Sequence, residues 1–94
     1  MFDFEEIGKV FDEVPQMFHC MKRVRLASGA YDSVKLGYLI FADDPCTPRC
    51  YFVFQRIGES AKVKLIGVCM YLRNVDLLIR ENQTRKEATN ENNT

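Results

Sequence analysis

The chain has little of several features that would assign a protein to a broad class. It carries no net charge, because 13 basic side chains balance 13 acidic ones. A neutral chain has no overall field that attracts DNA or an anionic membrane, so any nucleic-acid contact must be local. No apolar run approaches the roughly 20 residues that span a bilayer, and the N-terminus is acidic where a signal peptide is basic. We therefore expect a soluble, intracellular protein.

Cysteine is also sparse, with four residues in 94, which is too few for a disulfide-dense scaffold and indicates a reducing compartment. His19 and Cys20 could suggest a thiol nucleophile and its base, but adjacent helical residues point about 100° apart. Cys46 and Cys50 could begin a zinc site, yet the remaining His19, Cys20 and Cys69 offer no second paired spacing. We predict no catalysis, metal or cofactor. A thiol or metal enzyme stays open as an alternative that substitution of Cys20 or Cys50 would test.

Apolar side chains recur at helical spacing near the N-terminus, at Phe4, Ile7, Phe11 and Val14. This stripe predicts an amphipathic helical extension over residues 1–14, which either packs on the core or docks on a partner. Pro15 disfavours continuation of that helix and is suited to open a second, short helix through about residue 21.

Five β-strands are predicted after the helices, over residues 22–26, 34–41, 51–56, 61–72 and 75–80. Gly37 lies within the second strand and predicts a strong bend there. The last two strands form a hairpin around Arg73 and Asn74, because Asn adopts left-handed geometry more readily than other non-glycine residues. The tail, residues 81–94, has no apolar side chain larger than alanine and is predicted to be disordered.

The element order predicts a mainly β, α+β fold. An N-terminal helix would precede a five-stranded, strongly bent antiparallel sheet that forms a partly open barrel over residues 15–80. A chain of this length has room for only one such domain. SH3-like and OB-like barrels both remain possible at this point.

Two stretches resemble the motifs of the Sm fold. Residues 34–40, followed by Asp43, Asp44 and Pro45, are similar to the bent second strand and third loop of the first Sm motif. Residues 71–79 are similar to the second Sm motif, in which Arg-Gly precedes an apolar strand. Within this fold the chain resembles the Sm-like Gemin subunits of the survival-motor-neuron (SMN) complex. That resemblance implies a protein of the cytoplasm and the nucleus.

The resemblance also implies a degraded RNA pocket. RNA-binding Sm proteins hold a uracil between the third loop and the Arg-Gly turn, and the matching positions here are Asp44, Tyr51, Arg73 and Asn74. Asn74 replaces the glycine that lets backbone approach a base. No Asn amide is present near Cys50 and Tyr51 to read the base edge. The alternative is that the chain is an RNA-binding Sm-like ring subunit that recognises uridine-rich RNA.

The function implied by the resemblance is that of a non-catalytic scaffold subunit. It would pair edge to edge with another Sm-like protein, the seventh Gemin, in an SMN-type complex that assists Sm-ring assembly on small nuclear RNAs. Apolar strand edges aggregate unless a partner covers them. The predicted partner-binding edge residues are Val63, Leu65, Val68, Met70, Val75, Leu77 and Ile79. A small interaction module of another fold stays open as a further alternative.

Overall fold

The computed structural model describes residues 6–27 and 31–92, with side chains as far as Arg85. The elements are β1 (Val10–Phe11), a 3-10 helix (Gln16–Cys20), β2 (Lys22–Val24), β3 (Tyr38–Ala42), β4 (Tyr51–Arg56), β5 (Val63–Cys69) and α1 (Leu72–Asn92). The strands form one antiparallel sheet in the order β1-β5-β4-β3-β2. In this part of the chain, no helix has the length and apolar character needed to cross a membrane. The prediction of a mainly β fold with a five-stranded antiparallel sheet is thus confirmed.

Strands β2 to β5 form a meander, in which each strand pairs with the next. Gly58, with φ +61°, lies in the turn between β4 and β5. Gly37, with φ +87°, lies in the turn that enters β3 and not within the strand, so the predicted second strand begins only at Tyr38. A register shift between Val53 and Phe54 leaves an extra residue in β5, a local irregularity that bends a strand.

The C-terminal helix α1 covers one face of the sheet. Val75 and Ile79 are one helical turn apart and are almost completely buried against Ile40 and Val53. Leu78 of the helix packs over Gly67, where an added Cβ would lie 2.6 Å from Leu78 Cδ2. Glycine at this position of β5 leaves room for the Leu78 side chain, which a larger residue would displace.

Aromatic side chains fill the opposite face of the sheet. Phe18, at the middle of the 3-10 helix, is fully buried, and its ring centroid lies 5.4, 5.1 and 5.0 Å from those of Phe41, Phe52 and Phe54. The rings of Phe18 and Phe54 are nearly perpendicular, an arrangement that aromatic pairs favour. The segment before β2 therefore closes this face with a single large anchor.

The predicted N-terminal helix is not formed in residues 6–14. Gly8 adopts φ +93°, and its amide donates to the carbonyl of Leu65 at 2.7 Å. The chain then continues as β1, with Val10 opposite Lys64. A strand is favoured here because it pairs the backbone with β5 and still lets Phe11 pack against Phe54. The short helix predicted after Pro15 is confirmed as the 3-10 helix.

The predicted hairpin around Arg73 and Asn74 is wrong. Both residues lie in the first turn of α1, and the amide of Asn74 donates to the carbonyl of Tyr71 at 3.0 Å. Among the described residues, only glycines have positive φ. The helix continues through Asn92, where the sequence predicted a disordered tail. A helix is favoured because it buries Val75 and Ile79 together while the polar residues that follow extend it.

Candidate protein-interaction site

The predicted edge residues fall into two groups. Four of them, Val63, Leu65, Val75 and Ile79, are at most 2% exposed and belong to the core. Val68 is partly buried, packed on the aromatic face. Met70 and Leu77, in contrast, are 66% and 55% exposed. The two arms do not form a pair of open edge strands, because β5 lies between β1 and β4 and the second arm is helical.

The residues of the predicted RNA pocket are not brought together. The Asp44 carboxylate lies in the loop between β3 and β4 and accepts from the amides of Cys46 and Thr47. Tyr51 is 8% exposed and belongs to the core beneath α1. Arg73 and Asn74 lie in the first turn of that helix. Within the described residues, no hydrogen bond or ion pair joins Asp44 or Tyr51 with Arg73 or Asn74, so the pocket has no assembled counterpart.

The predicted docking face of the N-terminal helix is also not assembled. Phe11 and Val14 pack against the aromatic face, which agrees with the core-packing alternative. Ile7 is 42% exposed beside β1, and Phe4 lies outside the described residues. This part of the chain contributes a strand and a core contact, and the amphipathic surface required for helix docking is not present in residues 6–14.

The candidate thiol and zinc residues are dispersed over the surface and the margin of the core. His19, Cys20 and Cys46 are exposed. All four cysteines are free thiols, and burial raises the pKa of the Cys69 thiol. Across residues 6–27 and 31–92, no group of three or more His, Cys, Asp and Glu side chains could hold a metal ion.

The largest exposures of apolar side chains occur where β5 passes into α1. Met70, Tyr71 and Leu72 connect the two elements and are 66%, 53% and 41% exposed. Leu77 lies on the outward side of the second helical turn. We call these four residues the Met70 corner. Neither the helix nor the aromatic face covers it, because both are already packed on the sheet.

Arg73 connects the two parts of the Met70 corner. Its guanidinium carbon lies 4.9 Å from the centroid of the Tyr71 ring, a cation–π contact that orders both side chains. Leu77 follows Arg73 by four positions, so the two side chains are neighbours on the helix surface. Tyrosine and arginine are enriched at the energetic centres of interfaces, and methionine adapts to the shape of a partner.

Along the second half of β5, beside this corner, one margin has no partner strand among the described residues. β1 pairs with β5 only at Val63 and Lys64, and the last described backbone bonds to the β1 segment are made by Leu65. After the extra residue Ile66, β5 pairs with β4 over residues 67–69 on one side and with no described strand on the other. A margin of this kind can accept an added strand from another chain.

A polar cluster fixes the first turns of α1 behind the Met70 corner. The Tyr31 hydroxyl donates to Asp76 Oδ1, and Arg80 Nε donates to both Asp76 oxygens at 3.2 and 3.1 Å. Burial and this hydrogen bond raise the pKa of Tyr31 to about 12. The hydrogen bond from Tyr31, followed by that from Arg80, lowers the pKa of Asp76. The sequence shows only the Asp76–Arg80 spacing, typical of a helical ion pair.

The chain matches no protein-family model, no curated protein and no solved structure. The function of the surface is therefore inferred from the geometry of this chain. A rigid helix start, an exposed aromatic–arginine pair and an adjacent open strand margin are suited to binding another protein.

Proposed function

We propose that the chain is a non-catalytic protein-binding module that uses the Met70 corner and the adjoining margin of β5. The observation that carries this proposal is the 66% exposure of Met70 and 55% exposure of Leu77 beside a margin of β5 that no described strand pairs with. A stable interface buries about 800 Å² on each partner. Four side chains alone offer less than that, so the partner engages the strand margin as well.

Strand addition explains why the margin and the corner act together. Backbone hydrogen bonds along residues 66–69 supply affinity, while side chains on the two faces supply specificity. The contact between Arg73 and Tyr71 holds the aromatic ring in place before binding, which reduces the conformational entropy lost on association. The two outermost strands of the sheet, β1 and β2, have two and three residues, and β2 carries Lys22 and Arg23, which discourage strand addition there.

The sequence resemblance suggests the identity of the partner. The chain most resembles the sixth Gemin. This resemblance implies pairing with another Sm-like subunit, the seventh Gemin, in an SMN-type complex that assists Sm-ring assembly on small nuclear RNAs. We retain this as the specific form of the proposal. Residues 72–79 lie in α1 and not in a strand, so the second Sm motif no longer supports the resemblance, which now depends on the first motif over residues 34–45.

Co-expression with the seventh Gemin, followed by mass measurement of the purified complex, tests this form. We expect a heterodimer in which Met70→Lys and Leu77→Lys each weaken binding by about tenfold or more, since each places a charge in the interface. Val34→Lys is the matched control, because Val34 is 45% exposed elsewhere on the surface. In the complex, amide hydrogen exchange should slow at residues 66–69.

Two results would contradict the proposal. Separate elution of the two chains would exclude this partner, and equal effects of Leu77→Lys and Val34→Lys would exclude the Met70 corner as the interface. A mass matching a homomeric ring of the chain alone would instead favour the RNA-binding alternative. No observation in the described residues favours uridine recognition at Asp44, Tyr51, Arg73 and Asn74.

A further inference from the structure

A groove beside the middle of α1 is lined by basic and amide residues. It has a volume of about 530 Å³ and lies between the β4–β5 hairpin and the helix. We call it the basic groove and define it by Gln55, Lys64, Asn82 and Arg85. These residues are distant in sequence and meet only because α1 lies across the sheet. The Met70 corner shares no residue with it.

The charge of the basic groove is not balanced within the described part of the chain. Its lining includes the basic residues Lys64 and Arg85 and no acidic residue. Arg56 also borders it, but strand alternation places the Arg56 side chain on the aromatic face, as it does for Val63, its partner in β5. Lys64 forms no ion pair with a described residue, whereas Lys9, Arg25 and Arg80 each pair with a nearby acid. Arg85 lies 3.8 Å from Glu81, but both side chains are mostly exposed, so that pair contributes little.

The amide groups of the basic groove are already positioned. Asn82 Nδ2 donates to the Tyr38 hydroxyl at 2.7 Å and to Gln55 Oε1 at 3.0 Å. Gln83 Nε2 donates to the same hydroxyl at 2.8 Å, which fixes this part of the helix on the sheet. Asn82 therefore holds the Gln55 side chain in place at the groove. Lys64 lies directly opposite Gln55 in the sheet, so a cation stands beside these amide groups.

We propose that the basic groove binds the phosphate group of a nucleotide. Guanidinium and ammonium groups next to fixed amide groups match the several acceptor oxygens of a phosphate. The volume exceeds that of a bare phosphate and lies in the range of small-molecule sites. Ile57, which is 39% exposed, adds an apolar wall for the rest of the ligand. The phosphate belongs either to a free nucleotide or to one nucleotide of a single strand.

Calorimetric titration of the full chain with pyrophosphate, ATP and a ten-residue oligothymidylate tests this proposal. We expect saturable binding that weakens as salt rises, because cations contact the phosphate. Lys64→Gln and Arg85→Gln should each weaken binding by about tenfold, the effect of one charge-assisted hydrogen bond. Lys62→Gln removes the same charge from the same hairpin outside the groove lining and should change affinity by less than about twofold.

The three probes distinguish the two sources of phosphate. Tighter binding of ATP than of the oligonucleotide assigns the groove to a free nucleotide, and the opposite order assigns it to a strand; both results support the proposal. Absence of saturable binding by all three probes would overturn it, as would equal effects of Lys64→Gln and Lys62→Gln. Thermal unfolding of each variant checks that the fold is retained. Absence of phosphate binding would not contradict the proposed role of the Met70 corner, because that role is tested separately by partner binding.

Discussion

The two faces of the sheet are covered in different ways. Phenylalanine rings packed around Phe18 cover one face, and a helix whose polar side chains also hydrogen-bond to the sheet covers the other. The aromatic face has rings in contact at 5.0 to 5.4 Å from a single fully buried anchor. The helix face combines Val75 and Ile79 with the bonds from Asn82 and Gln83 to Tyr38. Packing supplies stability on both faces, whereas the polar contacts fix the position of the helix and of the surfaces it carries.

The largest effect is expected on the aromatic face. Phe18→Ala removes a ring that touches three others and leaves a cavity, so the free energy of unfolding should fall by about 3–5 kcal/mol. Met17→Ala, at the neighbouring and 45% exposed position, should change it by less than about 0.5 kcal/mol. Urea denaturation of both variants measures the difference. Equal effects would show that the 3-10 helix does not close this face.

On the helix face, Ile79→Ala should lower the free energy of unfolding by about 2–4 kcal/mol, because Ile79 is 1% exposed. Leu77→Ala is the matched control and should cost well under about 1 kcal/mol, since Leu77 faces solvent. The pair also discriminates between the helix and the hairpin that the sequence predicted. In a strand, residues two apart share one face, so similar losses for both variants would favour the hairpin.

A smaller effect is expected at the contact between α1 and β5. Gly67→Ala places a Cβ 2.6 Å from Leu78 Cδ2. Because that atom ends a flexible side chain, moving it should cost about 1 kcal/mol of the free energy of unfolding. In a Leu78→Ala background the obstruction is gone, and the cost of Gly67→Ala should largely disappear. Urea denaturation of the four proteins of this cycle measures the coupling. An unchanged cost would mean that the helix does not approach the sheet at Gly67.

The smallest effect concerns the polar cluster behind the Met70 corner. The lowered pKa of Asp76 means that its carboxylate stabilises the fold above its unfolded pKa, about 4, and that this contribution is lost as pH falls through the lowered folded value. Asp76→Asn should therefore destabilise the protein at pH 6, and the difference from wild type should shrink toward pH 2. Thermal unfolding across this range measures it. A difference independent of pH would contradict the ion pair with Arg80.

Much of the sheet could be predicted from the sequence because its pattern is unambiguous. β4 is apolar at four successive positions, which is typical of a central strand, and the structure places it between β3 and β5. Val75, Leu77 and Ile79 were ambiguous, since Val75 and Ile79 satisfy helical spacing while all three satisfy strand alternation. The helix wins because Gly67 leaves room for it on the sheet, a tertiary fact that no local pattern contains.

The N-terminal prediction failed for a related reason. Phe11 and Val14 have helical spacing with Ile7, but Gly8 takes a positive φ and its amide pairs with β5. Of the residues predicted to lie on open edge strands, Met70 and Leu77 are exposed. Met70, however, follows the end of β5, and Leu77 lies on the outward side of α1. The basic groove was not predicted, because Lys64 and Arg85 meet only through the packing of α1.

Residues 72–80 form a helix that lies across the sheet. This placement closes one face of the sheet, exposes the Met70 corner and assembles the basic groove. Nuclear Overhauser spectroscopy on the isotope-labelled full chain measures it most directly. We expect sequential amide contacts along residues 72–80, together with contacts from the Ile79 methyls to Ile40 and Val53. Cross-strand contacts between residues 63–69 and 75–80, with an extended backbone at Val75, would contradict the account.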